Sequence, residues 1–270
     1  MKRITIMGIL NVTPDSFYDG GAFNDIDRAV AHGLQMIDDG ADILDIGGES
    51  SRPGAEAVTV SEEIDRVCPV IEKLKGETDA LISVDTCKAD VARAALDLGV
   101  DMVNDISGLT FDEDMGDVIG RNNASVVLMH MKGSPETMQN NPQYSDIIEE
   151  IKDFLYQSAQ KAEEKGIKKD KIILDPGIGF GKSLEDNYTI LHNIKEFKSL
   201  GYPILIGLSR KSLIGAILGD EDRLSSTVAL NTLAIGEGAE IIRVHDVKEH
   251  VLACKCLEYY FKVEVNGSHS

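Results

Sequence analysis

Ser125-Val126-Val127-Leu128-Met129 is an almost unbroken apolar run that stops on the polar His130. A run apolar on both faces is what a parallel strand shows when it is covered on both sides. Downstream, Ile147, Ile151, Leu155 and Ala159 recur at helical spacing, so an amphipathic helix follows the strand. The pair reads as one strand–helix unit.

The unit repeats in both directions. Strand-like runs lie at Ile4–Val12, Asp42–Gly48, Leu81–Thr86, Met102–Ser107, Ser125–Met131, Ile172–Gly177, Ile204–Ser209 and Ile241–Asp246. Between them, helical periods run through Ile26, Val30, Leu34 and Ile37, then Ile64, Val67, Ile71 and Leu74, then Val91, Ala94, Ala95 and Leu98. Later periods follow Leu184, Leu191 and Ile194, then Val228, Leu233 and Ile235, and finally Val251, Leu257 and Phe261, with only the fourth connection, near Met115 to Ile119, short. Ser61 before Glu62 and Glu63, and Ser183 before Asp186, are the expected helix starts. No Gly/Ser-rich or Pro-rich linker interrupts the series, so the 270 residues are expected to form one (β/α)8 TIM barrel, a single α/β domain over 1–262. Periodicity is lost over 263–270, which is expected to be a flexible tail.

With 43% apolar and 27% charged residues, a disordered or collagen-like chain is excluded. The charge balance is the unusual number: 27 basic against 46 acidic residues give −19. Such a surface repels nucleic acid and anionic lipid, so neither is an expected partner, and an anionic ligand needs a local exception. Cys68, Cys87, Cys254 and Cys256 lack the spacing of a zinc site. With no long apolar leader after Met1 and no apolar run of about eighteen residues, a cytoplasmic protein is expected.

Barrels of this kind place their chemistry where strands end. Here the runs end on Asn11, on Asp45 and Glu49, on Asp85 and Thr86, on Asn104 and Asp105, on His130, on Asp175, on Ser209-Arg210-Lys211, and on Arg243, His245 and Asp246. The rim divides by charge. Asp85, Asn104 and Asp175 call for a donor-rich ligand, because a half-buried carboxylate needs hydrogen bonds or a cation. Arg52, Arg210, Lys211, Arg243 and His245 call for an anion, in the region where barrels often bind phosphate. A flat N–H-rich heterocycle joined to a phosphate or diphosphate satisfies both, with Asn11 able to offer Mg²⁺ an oxygen. The glycines of Asp175-Pro-Gly-Ile-Gly-Phe-Gly-Lys182 suit a tight turn near a planar ligand, and Phe180 can stack on it or pack in the core. Two turn-rich loops, Asn11–Gly21 and Gly47–Gly54, suit mobile covers over that ligand.

Seven segments, Asn11-Val-Thr-Pro-Asp-Ser-Phe17, Gly47-Gly-Glu-Ser-Ser-Arg-Pro-Gly54, Ser83-Val-Asp-Thr86, Asn104-Asp-Ile-Ser-Gly108, Asp175–Lys182, Gly207-Leu-Ser-Arg-Lys-Ser212 and Arg243-Val-His-Asp246, together resemble the dihydropteroate synthase family. The likeness runs from residue 4 to about 260. It implies a homodimeric barrel that condenses 6-hydroxymethyl-7,8-dihydropterin diphosphate with 4-aminobenzoate, the substrate that sulfonamides mimic, and releases diphosphate. It further implies that Asp85, Asn104, Asp175 and Lys211 hold the pterin, and that Asn11, Arg52, Arg243 and His245 hold the diphosphate, with Asn11 also a ligand of the Mg²⁺ cofactor. By the same likeness, Ser51, Pro53, Phe180 and Ser209 meet 4-aminobenzoate, and Lys211, Arg243, His245 and Asn11 act in catalysis.

The chain departs from the family's usual pattern at Tyr18, Ser51 and Ile178, none of which removes an ionic contact. Pterin-dependent methyltransferase barrels share the Asp/Asn/Asp idea but do not need Ser-Arg-Lys after strand seven with Arg-x-His on strand eight. A catalytically inactive pterin-binding barrel and a generic phosphate-binding barrel are the other readings. The intact loops and the basic cluster weigh against both.

Overall fold

The computed structural model describes residues 3–13, 22–50, 58–134, 137–138, 142–219 and 221–267. Its eight strands are β1 (Thr5–Asn11), β2 (Ile43–Gly47), β3 (Leu81–Asp85), β4 (Met102–Asp105), β5 (Ser125–Met129), β6 (Ile172–Asp175), β7 (Leu205–Ile206) and β8 (Ile241–Val244). All pairings are parallel, in the order β6-β5-β4-β3-β2-β1-β8-β7. A single parallel bridge between Leu174 and Ile204 joins β6 to β7 and closes the ring. The expected (β/α)8 barrel is the fold observed.

Strand periodicity separates two apolar layers. Met7, Ile43, Met102, Val127, Ile173, Leu205 and Ile241 pack together as one buried cluster inside the barrel. Their chain neighbours, such as Leu44, Val103, Val126, Leu174, Ile206 and Ile242, belong to the larger core under the helices. Side chains alternate between the two, as a strand requires.

The helices are α1 (Ala22–Asp38), α2 (Val60–Glu77), α3 (Ala89–Asp97), α4 (Met115–Arg121), α5 (Ile147–Glu164), α6 (Leu184–His192), α7 (Ile194–Lys198), α8 (Ser212–Leu218), α9 (Leu224–Gly236) and α10 (Val247–Gly267). Ser183 caps α6 with Asp186 in a capping box, as its spacing predicts. The start of α2 is corrected: Thr59, not Ser61, is the cap, because its hydroxyl accepts from Glu62 N while Glu62 reaches back to Thr59 N. The period through Leu184 and Ile194 is likewise two helices, broken at Asn193, whose φ of −120° leaves the helical range. Helix α8 carries no period long enough to stand out beside the α9 signal.

Helix α10 runs to Gly267; residues 268–270 lie outside the described set. No helix among the described residues is long and apolar enough to cross a membrane.

Candidate active site at the barrel mouth

Two residues beyond the inner apolar layer, the same strands present polar side chains: Asp45 above Ile43, Asn104 above Met102, Asp175 above Ile173 and Arg243 above Ile241. A step of two keeps a side chain on the inward face. The register therefore assembles the site. Met7 pairs with both Ile43 and Arg243, Asp45 pairs with Ser83, and Asp85 pairs with Asn104.

Arg243 is the hub. Its Nε donates to Asp45 Oδ2 at 2.6 Å and its terminal nitrogen to Asp85 Oδ2 at 2.6 Å. Asn104 Nδ2 donates to the same Asp45 oxygen at 2.9 Å. Burial and the nearby Asp45 push the Asp85 carboxyl upward, with Arg243 opposing. Arg243 is held more firmly protonated by Asp45 and Asp85, against the cost of burial. Buried carboxylates and guanidinium stabilise one another only as a set. Asp45 ends its run in the sequence, but its place in this network is not legible there, because its partner Arg243 is 198 residues away.

Asp175 ends β6 and accepts from Gly177 N at 2.7 Å. Burial raises its carboxyl, opposed first by Lys211 and then by that amide. Lys211 caps the start of α8, donates to Ile178 O and lies 4.5 Å over the Phe180 ring. Burial lowers its ammonium to about 8 although Asp175 pulls the other way. Phe180 packs with Ile106 against Met129, Met131 and Met138, and Met129 is in register with Asp175. A carboxylate therefore stands beside an apolar wall.

Asn11 closes β1. Its Oδ1 and Asp85 Oδ2 each lie 3.7 Å from the point where a Cβ on Gly47 would stand. At the eighth strand, Ser209 Oγ lies 2.9 Å from His245 Nδ1 and accepts from His245 N at 3.2 Å. Arg210 departs from its expected place. With φ of 59° it turns outward, is 60% exposed and pairs with Asp246 at 2.7 Å. Ser51, Arg52 and Pro53 lie outside the described residues. Lys88 Nζ bonds both Glu49 and Glu63 at 2.6 Å, and Glu49 also accepts from Val58 N at 2.9 Å.

His130 is not part of the mouth. It bonds Lys182 Nζ through Nδ1 at 2.9 Å and stands edge-on to Phe154. Burial, helped by Lys182 and Lys132, lowers it to about 2. Lys182, only 3% exposed, also bonds Phe180 O at 2.9 Å and ties the glycine-rich turn to the end of β5. A lysine is normally solvated, so nothing in its sequence context marks this one as a buried fastener.

The mouth thus combines carboxylates, an amide and an apolar wall with a lysine, an arginine and a histidine. Residues 7–245 match the family model described as pterin binding enzyme. A dihydropteroate synthase of Synechocystis is 49% identical over 94% of this chain and 89% of its own length. Among solved structures, the dihydropteroate synthase of Clostridium difficile in the presence of pteroic acid is 52% identical, with a TM-score of 0.91 over 96% of this chain and 97% of that one. That of Xanthomonas albilineans with 4-aminobenzoic acid is 45% identical, with a TM-score of 0.90 over 96% and 93% of the two chains. The motifs, the barrel and its mouth agree with these relatives: the chain belongs to the dihydropteroate synthase family of pterin-binding enzymes.

Proposed function

We propose that the mouth divides the work of dihydropteroate synthesis by charge: Asp175, Asn104, Asp85 and Lys211 seat the pterin, and Arg243, His245 and Asn11, with Arg52, hold the diphosphate. The observation that carries this division is Asp175 beside the Met129–Phe180 wall, on a different strand from the Arg243 network. A carboxylate accepts two parallel N–H bonds from the amino group and ring N–H of a pterin. The apolar wall covers the ring face, and Phe180, Ser51 and Pro53 border the 4-aminobenzoate.

In the reaction, the methylene–oxygen bond of the pterin diphosphate breaks and its electron pair leaves with diphosphate. The amine nitrogen of 4-aminobenzoate forms the new bond to carbon and then loses a proton. Arg243 and His245 contribute most where negative charge grows on the departing oxygen, so their effect increases toward the transition state. Cationic character left on the methylene spreads into the electron-rich pterin. The aniline nitrogen is already neutral, so no strong base is needed to make it a nucleophile.

Asn11 suits a Mg²⁺ ion that accompanies the diphosphate. Its amide oxygen lies 3.7 Å from the point where a Cβ on Gly47 would stand, so the glycine leaves space beside that oxygen. Hard oxygen donors are what Mg²⁺ takes, with phosphate oxygens and waters completing the shell. When bound, the ion supplies charge neutralisation of the diphosphate.

A second copy of the chain is the proposed partner. Helix α9 has no charged residue between Leu224 and Gly236, and Ser225, Ala229, Leu233 and Gly236 form an exposed stripe along it. On a chain of net charge −19, an uncharged face suits a self-complementary two-fold contact.

The deciding assay incubates the chain with pterin diphosphate, 4-aminobenzoate and Mg²⁺, following diphosphate and dihydropteroate together. Equal release of both is expected. Asp175→Ala should abolish pterin binding, whereas Arg243→Ala should mainly weaken diphosphate binding, with a smaller effect on pterin binding through its ion pair with Asp85. Near-normal turnover in both variants would sink the division of roles.

A further inference from the structure

We infer that Ser209 is a positioning residue for His245: it holds the imidazole as the tautomer that carries its proton on Nε2. This rests on the proposed diphosphate role of His245 for its catalytic consequence, but not for its structural content.

The ladder between β7 and β8 is short. Only Leu205 with Ile241 and Ile206 with Ile242 are paired in register. Beyond them the two segments are rejoined by side chains, in two successive rungs. Ser209 meets His245, and Arg210 meets Asp246 at 2.7 Å. Arg210 reaches its rung through a left-handed backbone turn with φ of 59°, a conformation a non-glycine residue adopts only when its surroundings impose it. The position of Ser209 is therefore fixed from both sides.

The hydroxyl of Ser209 has one proton to give and two lone pairs. One lone pair accepts the His245 backbone N–H at 3.2 Å. Its other contact is His245 Nδ1 at 2.9 Å. If Nδ1 also carried a proton, the hydroxyl would accept twice, and its own proton would be left in a site where Ser209 is 7% exposed. A buried donor without an acceptor costs more than the bond gained. The consistent arrangement is Oγ–H donating to a bare Nδ1. The ring proton is then on Nε2, the nitrogen able to donate to a phosphate oxygen, and a hydrogen bond on one ring nitrogen sets the state of the other. This gives Ser209 a different task from direct contact with the carboxylate of 4-aminobenzoate.

The test is two-bond proton–nitrogen correlation of the histidine side chains in the ligand-free, ¹⁵N-labelled full chain, with His245→Gln used to assign the signal. The Nε2–H tautomer is expected in the wild type and in Ser209→Thr, and a tautomeric mixture in Ser209→Ala. In steady state, Ser209→Ala should lower kcat by about tenfold, the scale of one hydrogen bond, with little change in KM for 4-aminobenzoate, and Ser209→Thr should restore it. An Nδ1–H tautomer in the wild type, or an unaltered His245 signal in Ser209→Ala, would overturn the inference. A raised KM for 4-aminobenzoate at unchanged kcat would overturn it in favour of a substrate contact. The expected tautomer shift with unchanged kcat would support the Ser209–His245 link and overturn the catalytic role of His245 instead.

Discussion

Arg243 donates to Asp85 at 2.6 Å, so a residue assigned to the diphosphate and a residue assigned to the pterin form one ion pair across the barrel mouth. The same guanidinium reaches Asp45. Asp85 is therefore not an isolated pterin ligand, because removing Arg243 leaves it and Asp45 buried without their cation. Breaking such a set by deleting one member costs more than the pair contributes. Arg243→Ala is expected to shift the Asp85 titration upward as well as to weaken diphosphate binding. Titration by NMR of ligand-free wild type and variant measures it, and an unmoved Asp85 would contradict the coupling.

The pH dependence of kcat/KM for pterin diphosphate should be bell-shaped and narrow. Burial raises the carboxyls of both Asp85 and Asp175, placing the acid limb above the ordinary carboxylate range: the site gains activity as pH rises and these groups ionise. Burial lowers Lys211 to about 8, so activity falls again as the ammonium loses its proton. The limbs belong to the coupled set and not to single residues. Lys211→Met should lower the rate and remove the alkaline limb. A profile flat from about pH 6 to 9 would rule out both assignments.

The barrel is legible in the sequence because each strand announces itself twice, as an apolar run and as a polar stop. The stop is legible for a physical reason: Ile173 and Asp175, or Ile241 and Arg243, share the inward face by simple alternation. What alternation cannot reveal is backbone that leaves the strand. Arg210 stands between two inferred site residues in sequence, yet its left-handed turn sends it to Asp246. Lys182 follows a glycine-rich turn and reads as a surface lysine, until the turn folds its Nζ onto His130 and Phe180. Asp45 is visible as a strand end, while its partners come from β4 and β8.

Lys182→Met should test that buried fastener. Its Nζ lies 2.9, 3.3 and 2.9 Å from His130 Nδ1, His130 O and Phe180 O, and burial holds its pKa well below the ordinary lysine range. Methionine fills the volume but donates to none of them, so a loss of about 1–3 kcal/mol in urea unfolding is expected. KM for the pterin substrate should also rise, because the turn carrying Phe180 is released. Gly177→Ala is a harsher change at the same turn: at φ of 73° its Cβ would collide with His130 O. An unaltered unfolding midpoint in either variant would show that the turn is held by other contacts.

Chelation separates the role of Asn11 from those of the basic residues. Removing divalent ions should stop turnover without preventing pterin binding, because the Asp175 side of the mouth needs no metal. Asn11→Ala should raise the Mg²⁺ concentration for half-maximal rate by about tenfold, while Asn11→Asp retains an oxygen donor and much of the affinity. Magnesium titrations at saturating pterin diphosphate measure this directly. Identical curves for the wild type and Asn11→Ala would place the ion elsewhere.

Leu233→Glu should dissociate the proposed dimer. Leu233 is 65% exposed on α9 and is the only large apolar member of the stripe formed with Ser225, Ala229 and Gly236. In a two-fold interface each substitution occurs twice, so two carboxylates enter one apolar contact in a chain already carrying −19. Leaving them desolvated and unpaired should weaken association by at least about a hundredfold. Sedimentation velocity at micromolar concentration reads the change. Tyr156→Glu provides the control: Tyr156 is also exposed, at 51%, but lies on α5, and its charge should leave the oligomeric state unaltered. If Leu233→Glu remains dimeric while Tyr156→Glu dissociates, the two-fold contact lies on α5 and the α9 proposal fails.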